Sequence, residues 1–306
     1  PADAEVRYLS SEQSNSSAII GNAMMLKLLR RVSPGIHPEL EMGRFLTAQG
    51  FTHISAMLGQ VNRVDARGEL HALIVVQRYL DNQGDAWEWT INTLDRAVRD
   101  QLAGGVSEHE NQYSALGELE AFNRLLGQRL GEMHRVLASD TDNLDFARET
   151  TAERHIQETT EAVTAQLERA LSLLGEHRST LERKDAALVE QLLAQREQLI
   201  AQVQPLAART LGGLRTRVHG DLHLGQILVA HGDAYFIDFE GEPARPLEQR
   251  RAKLSPFKDV AGVLRSFDYA AAMTIRNAQV SDSSVEADLA RRTIAENYQQ
   301  NARRVF

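Results

Sequence analysis

The 306-residue chain has no cysteine, which excludes disulfides, thiolate catalysis and Cys-ligated zinc, so any bound metal must be held by oxygen or imidazole. It has no apolar run approaching the roughly 20 residues that cross a bilayer, and its ten histidines form no zinc-like set. Basic residues are in deficit, 34 Lys and Arg against 42 Asp and Glu, for a net charge of -8. A nucleic-acid surface needs a clustered basic footprint, so neither nucleic acid nor membrane is expected as a partner. No basic, apolar leader opens the chain at Pro1, which sets the expectation of a cytoplasmic protein. Internal repeats and low-complexity linkers are missing too. What is present, 42% hydrophobic and 25% charged residues, is a globular composition, long enough for two lobes and a cleft between them.

The first 80 residues carry short strand-like apolar patterns over 6–9, 18–20, 24–29, 57–62 and 73–76. One helix interrupts them, starting at Pro38, a favourable first helical position, and ending at Gly50. After the turn-forming stretch 81–85 the spacing changes to three and four. It predicts a helix over 87–102 and another over 113–137, with Leu116, Leu119, Phe122, Leu126, Leu130 and Met133 on one stripe. Two long antiparallel helices follow between 150 and 208, broken near 175–180, their charges reading as solvated faces. A last amphipathic helix over 289–306 reaches the final residue without a Gly or Pro stop, as an excised domain would. The pattern is α+β: a small antiparallel β N-lobe over 1–80 and a larger, mostly α C-lobe over 81–306 that contains the long helical hairpin.

The chemistry is concentrated in Arg217-Val-His-Gly-Asp-Leu-His-Leu-Gly-Gln-Ile-Leu-Val-Ala-His-Gly-Asp-Ala-Tyr-Phe-Ile-Asp-Phe-Glu-Gly. His219, Asp221 and Gln226 have the spacing of a kinase catalytic loop, His-x-Asp-x-x-x-x-Asn, with Gln replacing Asn. Two short apolar strands, 226–229 and 235–238, flank a His231-Gly232-Asp233 turn. Equal distance from Gly232 would set Gln226 opposite Asp238, two oxygen ligands for one hard cation. Asp238-Phe-Glu-Gly stands where kinases carry Asp-Phe-Gly. Phosphoryl transfer requires an in-line acceptor oxygen, neutralised phosphates and a carboxylate to take the acceptor proton. Asp221 is therefore expected as the base, Gln226 and Asp238 as Mg2+ ligands and His219 as an organiser of the loop. A metal-dependent hydrolase is the rival, because His219, Asp221 and His223 would share one face of a strand, although Gly220 and Gly225 favour a loop.

With Glu12-Gln-Ser-Asn-Ser-Ser, Leu26-Lys-Leu-Leu-Arg-Arg, Glu240-Gly-Glu-Pro and Asp259-Val-Ala-Gly-Val-Leu-Arg-Ser-Phe-Asp-Tyr-Ala-Ala, the stretch from about Glu12 to Ala271 resembles the maltokinases. These lie in the aminoglycoside-phosphotransferase-like group of the bilobal protein-kinase-like fold. The resemblance implies transfer from ATP, with Mg2+, to the anomeric hydroxyl of maltose, giving maltose 1-phosphate for α-glucan (glycogen) synthesis, often in fusion with a trehalose synthase. It implies that Lys27, on the third strand, holds the α and β phosphates, with Glu41 on the Pro38 helix as its partner and Glu39 as the alternative register. The phosphate-covering loop departs from the glycine-rich form, so Gln13, Ser14, Asn15, Ser16 and Ser17 would contact phosphates through amides and hydroxyls. Residues 77–80, Gln77 and Tyr79 among them, would carry adenine on their backbone. Asp259 corresponds to the aspartate that braces the catalytic loop. His223, Glu240, Arg265, Asp268 and Tyr269 are the sugar-contact candidates, whereas Trp87 and Trp89 read as helix packing. The family's N-terminal cap and longer C-terminal region have no counterpart in the 306 residues. Another sugar or aminoglycoside-like kinase of the same fold stands beside this reading, as does a non-catalytic nucleotide-binding module, which the missing glycines motivate.

Overall fold

The computed structural model describes residues 4–9, 15–104, 114–276 and 284–306. The chain divides into two compact units, Pro1–Ala147 with Arg217–Phe306, and Arg148–Thr216. The change of pattern at residue 80 coincides with neither boundary.

The first unit begins with an antiparallel sheet of β1 (Val6–Leu9), β2 (Asn15–Ile20), β3 (Met24–Leu29), β4 (Met57–Val64) and β5 (Leu70–Arg78), ordered β1-β2-β3-β5-β4. Strand alternation decides what each side chain faces. In β3, Lys27 and Leu29 are buried while Leu28 between them is exposed; in β2, Asn15, Ser17 and Ile19 are the buried set. α1 (Pro38–Ala48) links β3 to β4, with proline in the first turn, where a missing N–H costs nothing. It covers the buried face of the sheet through Leu40, which packs with Leu29, Ala72 and Val75. Gly43 lies so close to β4 that a Cβ there would come within 2.7 Å of Met57 Cε.

α2 (Ala86–Leu102) and α3 (Ala115–Leu137) follow, capped by Asp85, which accepts from the Glu88 amide, and by Ser114, which accepts from the Gly117 amide. Tyr113, where the sequence pattern starts the second of these helices, lies outside the described residues. The second unit contains β6 (Glu149–Thr150), α4 (Glu153–His177), α5 (Arg183–Ala194), α6 (Arg196–Ala208) and β7 (Leu214–Arg215), with β6 and β7 paired. The first unit resumes with the hairpin of β8 (Ile227–Ala230) and β9 (Asp233–Phe236), then α7 (Leu247–Arg250), α8 (Phe257–Arg276) and α9 (Val285–Val305).

The stripe expected on α3 is core: Leu119, Phe122, Leu126, Leu130 and Met133 are buried in one cluster with Leu94 of α2, Phe267 of α8 and Ile294 of α9. Each such leucine contributes about 1.5–3 kcal/mol relative to an exposed one. Trp89 packs on Phe122 with ring centroids 4.9 Å apart, the helix-packing role read for it.

Two details correct the sequence reading. The return arm of the long hairpin is two helices, α5 and α6, separated at Gln195, where neither Gly nor Pro marks a break. In the β8–β9 hairpin, Ala230 pairs with Asp233 around a two-residue His231-Gly232 turn, both residues having positive φ (53° and 74°). This is the primed turn that matches strand twist, and it shifts the register by one: Gln226 faces Ile237, whose amide donates to the Gln226 carbonyl, and not Asp238. No helix among the described residues is long and apolar enough to cross a membrane.

Candidate active site

Lys27 is the centre of a buried charge cluster. Its Nζ lies 3.1 Å from Glu39 Oε2, 2.7 Å from Asp238 Oδ1 and 3.2 Å from Glu240 Oε1. Burial pulls its pKa down, but the three carboxylates outweigh burial and hold the ammonium well above its ordinary value. Asn15 Nδ2 donates to Glu240 Oε1 at 2.8 Å, and Gln226 Nε2 donates to Asp238 Oδ2 at 3.2 Å. Gln226 and Asp238 therefore meet despite the shifted register. Asp238 does so in a left-handed conformation, φ 64°, uncommon for a residue with a Cβ. Burial pushes the Asp238 carboxyl up; Lys27, His219 and Gln226 more than reverse this and keep it ionised. Carboxylate oxygens of Glu39, Asp238 and Glu240 lie within 4.8 Å of one another, an oxygen set suited to a hard cation.

The helix partner of Lys27 is Glu39, not Glu41. Two positions along a helix turn the side chain by about 200°, so the two glutamates point to nearly opposite sides. Glu39 shares the inward stripe with Met42, Gly43 and Leu46, all buried, and is itself 1% exposed. Ser16 is a second correction. On a strand it faces away from Lys27, and its hydroxyl accepts from Arg30 Nε at 3.0 Å, so among the expected phosphate contacts Asn15 and Ser17 are on the lysine side. Gln13 and Ser14 lie outside the described residues. Glu240, expected among the sugar contacts, is drawn into the lysine cluster. Asp268 is likewise engaged elsewhere, by Gln299 Nε2 at 2.7 Å and Arg303 Nη2 at 2.6 Å on α9.

Burial raises the Glu39 carboxyl from 4.5 to about 7, Asp238 and Glu240 adding to the rise and Lys27 opposing it. A folded pKa above the unfolded one gives stability that is full below about pH 4.5 and lost as pH rises through about 7. Thermal unfolding of the nucleotide-free protein across this window should thus show a loss on the order of 3 kcal/mol from this group. Glu39→Gln should flatten that part of the profile. An unchanged slope in the variant would assign the titration to another group.

The loop from His219 to Gln226 is pinned at several points. The buried Asp259 carboxylate accepts from the amides of His219 and Gly220, both at 2.9 Å, and His134 Nε2 lies 3.0 Å from the same group. His219 Nε2 donates to the Ile237 carbonyl at 2.8 Å, tying the loop to the hairpin as an organiser would. The Leu224 amide donates to Ser266 Oγ at 3.3 Å, and a Cβ on Gly262 would sit 2.1 Å from the Leu222 carbonyl oxygen, so α8 touches the loop backbone directly. His223 Nδ1 accepts from the Gly225 amide at 3.1 Å, and burial keeps its pKa below the ordinary value, so it is neutral. Asp221 is at the bend between these anchors, half-buried, and among the described residues no donor bonds its carboxylate. The strand geometry on which the hydrolase alternative rested is absent here, since 219–223 is a loop.

A cleft of about 670 Å3 adjoins Lys27, Glu39, Gln226 and Asp238. Ile19 and Met25 from the sheet and Leu228 and Ile237 from the hairpin give it apolar walls, which periodicity alone did not single out. Tyr79 lines it, as does Gln77, whose buried amide donates to Glu39 Oε1 at 3.4 Å. Arg265 stacks over the exposed Tyr269 ring, 5.9 Å from its centroid.

The sheet, the helices and the order of these motifs define the kinase-like fold. The chain belongs to the phosphotransferase enzyme family, whose model matches residues 5–241. It is 28% identical over 280 residues, 91% of its length, to a glucosamine kinase of Mycolicibacterium smegmatis. To a glucosamine kinase of Streptacidiphilus jiangxiensis it is 27% identical over 292 residues, 93% of its length. It spans 62% and 59% of those two proteins. A solved glucosamine kinase in complex with glucosamine, ADP and inorganic phosphate superposes on the whole chain and on 67% of its own, with a TM-score of 0.71 at 22% identity, a likeness of fold.

Proposed function

We propose that this chain is an ATP- and Mg2+-dependent sugar kinase. The observation that carries the reading is the convergence of Lys27, Gln226 and Asp238 beside a braced loop whose Asp221 carboxylate accepts from no donor among the described residues. Lys27 would hold the nucleotide phosphates, and the carboxylate of Asp238 with the side-chain oxygen of Gln226 would ligate Mg2+. The metal, when bound, neutralises phosphate charge. Asp221 takes the proton of the acceptor hydroxyl as that oxygen attacks the γ-phosphorus and the bond to the β–γ bridging oxygen breaks, releasing ADP.

For the acceptor, the two curated relatives favour glucosamine. The maltose reading rests on Glu240-Gly-Glu-Pro and Leu264-Arg-Ser-Phe-Asp-Tyr, and four of those ten residues have other work. Phe267 is core, Ser266 bonds the loop, Asp268 bonds α9 and Glu240 meets Lys27. Arg265, Tyr269 and His223 are what remains of the sugar-contact set. Incubation with magnesium ATP and glucosamine, maltose, glucose or trehalose, following ADP release and identifying the product by 31P NMR, tests both levels. Transfer to glucosamine supports the full proposal, and transfer to maltose alone replaces the acceptor and revives the trehalose-synthase association. Nucleotide binding without transfer to any sugar overturns it in favour of a non-catalytic module.

A further inference from the structure

The face of α1 opposite Glu39 is also charged, and it is tied to two other segments of the site. Glu41 accepts from Arg217 Nη1 at 2.6 Å and from Arg251 Nε and Nη2 at 2.8 and 2.6 Å. Arg217 is two residues before His219; it is 1% exposed, and its guanidinium lies 4.9 Å above the Phe146 ring, which stacks on Phe45 of α1. Arg251 ends the stretch 242–251 that follows Asp238-Phe-Glu-Gly. Its neighbour Arg250 folds this stretch on itself, donating from Nε to the Arg245 carbonyl at 2.8 Å and from Nη2 to the Pro243 carbonyl at 2.9 Å. Burial pushes the Glu41 carboxyl up, and the two arginines more than reverse that, so the site stays ionised.

The same side of α1 borders a cavity of about 480 Å3, walled by Leu40, Arg44 and Phe45 of the helix and by Gln60, Asn62 and Ala72 of the sheet. Among the described residues the buried Gln60 Oε1 and Asn62 Oδ1 have no hydrogen-bond partner. That side of α1 is open, and there the Glu41 ion pairs add to the core contacts of Met42, Phe45 and Leu46 in holding the helix.

We infer that Glu41, Arg217 and Arg251 form a positioning clamp: with the 242–251 stretch seated, Arg251 holds α1 where Glu39 can meet Lys27. The three are positioning residues, acting on the phosphate-binding lysine through the helix. A forked guanidinium on a carboxylate fixes distance and angle together, which a lysine at 251 reproduces only in part. The kinetic consequence rests on the kinase reading; the consequence for helix position does not.

Arg251→Met, Arg251→Lys and, as a distant surface control, Arg292→Met decide the matter through magnesium ADP affinity by calorimetry, hydrogen exchange over residues 38–48, and steady-state kinetics. Arg251→Met should weaken magnesium ADP by about tenfold, a typical coupling. It should also accelerate exchange in α1, with nucleotide restoring protection, and lower kcat while the KM for sugar stays within about twofold. Arg251→Lys should fall between, and Arg292→Met should match wild type. Nucleotide affinity and α1 exchange both unchanged in Arg251→Met, whatever its melting temperature, would overturn the clamp and leave Arg251 a structural residue. If the methionine variant does not fold, Arg251→Lys against wild type carries the same comparison. If wild type transfers phosphate to no sugar, the kinase reading fails while the exchange arm, which needs no nucleotide, still settles the clamp.

Discussion

Replacing Asp221 by asparagine should lower kcat by roughly 10²–10⁴-fold, the range for loss of a positioned base, with magnesium ADP affinity kept within about twofold. The size follows from what the substitution spares. Asparagine has nearly the volume of aspartate, and the loop on either side is held by bonds that do not involve residue 221: Asp259 on the His219 and Gly220 amides, His219 on the Ile237 carbonyl, Ser266 on the Leu224 amide. The Lys27, Gln226 and Asp238 side chains engage one another without it. What disappears is the carboxylate proposed to accept the acceptor proton. Single-turnover kinetics and calorimetry on the same preparation check this. Near-normal turnover would remove the base assignment, and a parallel collapse of nucleotide affinity would move Asp221 into the binding set.

Asp259→Ala should be the most damaging single change to the fold around the site. It leaves the His219 and Gly220 amides and the His134 ring nitrogen without their acceptor, at a position where the carboxylate is 0% exposed. Each buried donor left unpaired costs about 1–3 kcal/mol, so a loss on the order of 3–5 kcal/mol is expected, a large part of a typical total of about 5–15 kcal/mol. The pH dependence has a definite sign. Burial pushes the Asp259 carboxyl up, but the bond from His134 and the nearby histidine charge more than reverse it, so the folded pKa is below the unfolded one. Its contribution is present above the ordinary carboxylate range and is lost as pH falls through the lowered value. Urea unfolding should show the gap between wild type and variant widest near neutrality and narrowing in acid. A gap below about 1 kcal/mol at pH 7 would mean that the loop finds its shape without this brace.

Much of the site was legible in the sequence because its chemistry is local. His219 to Gly241 is a single short stretch, and spacing alone brings Gln226 near Asp238 even with the register one residue off. The strands were legible too, β1 and β3 at both ends, because alternation is a local signal. The structure departs from the sequence expectation where two local patterns act together. Glu39 lies on the stripe of Met42, Gly43 and Leu46, which puts it, and not Glu41, on the inward side of the helix. Strand alternation likewise puts Ser16 on the side away from Lys27. Other pairings had no local signal: Asn15 reaches Glu240 across 225 positions, and Glu41 reaches Arg251 across 210. Only the folded chain brings those residues together.

The close approach of Gly262 to the Leu222 carbonyl has a consequence for grafting. Asp259, Gly262 and Ser266 are spaced three and four apart, so they form one ridge of α8, and that ridge grips the loop by charge, admits its backbone by a missing side chain and fastens it by a hydroxyl. Any methyl at 262 would jack the loop away from its two anchors. The smallest portable module in a chimera is therefore the loop together with this helical ridge: a graft of residues 219–226 alone would arrive without its mould.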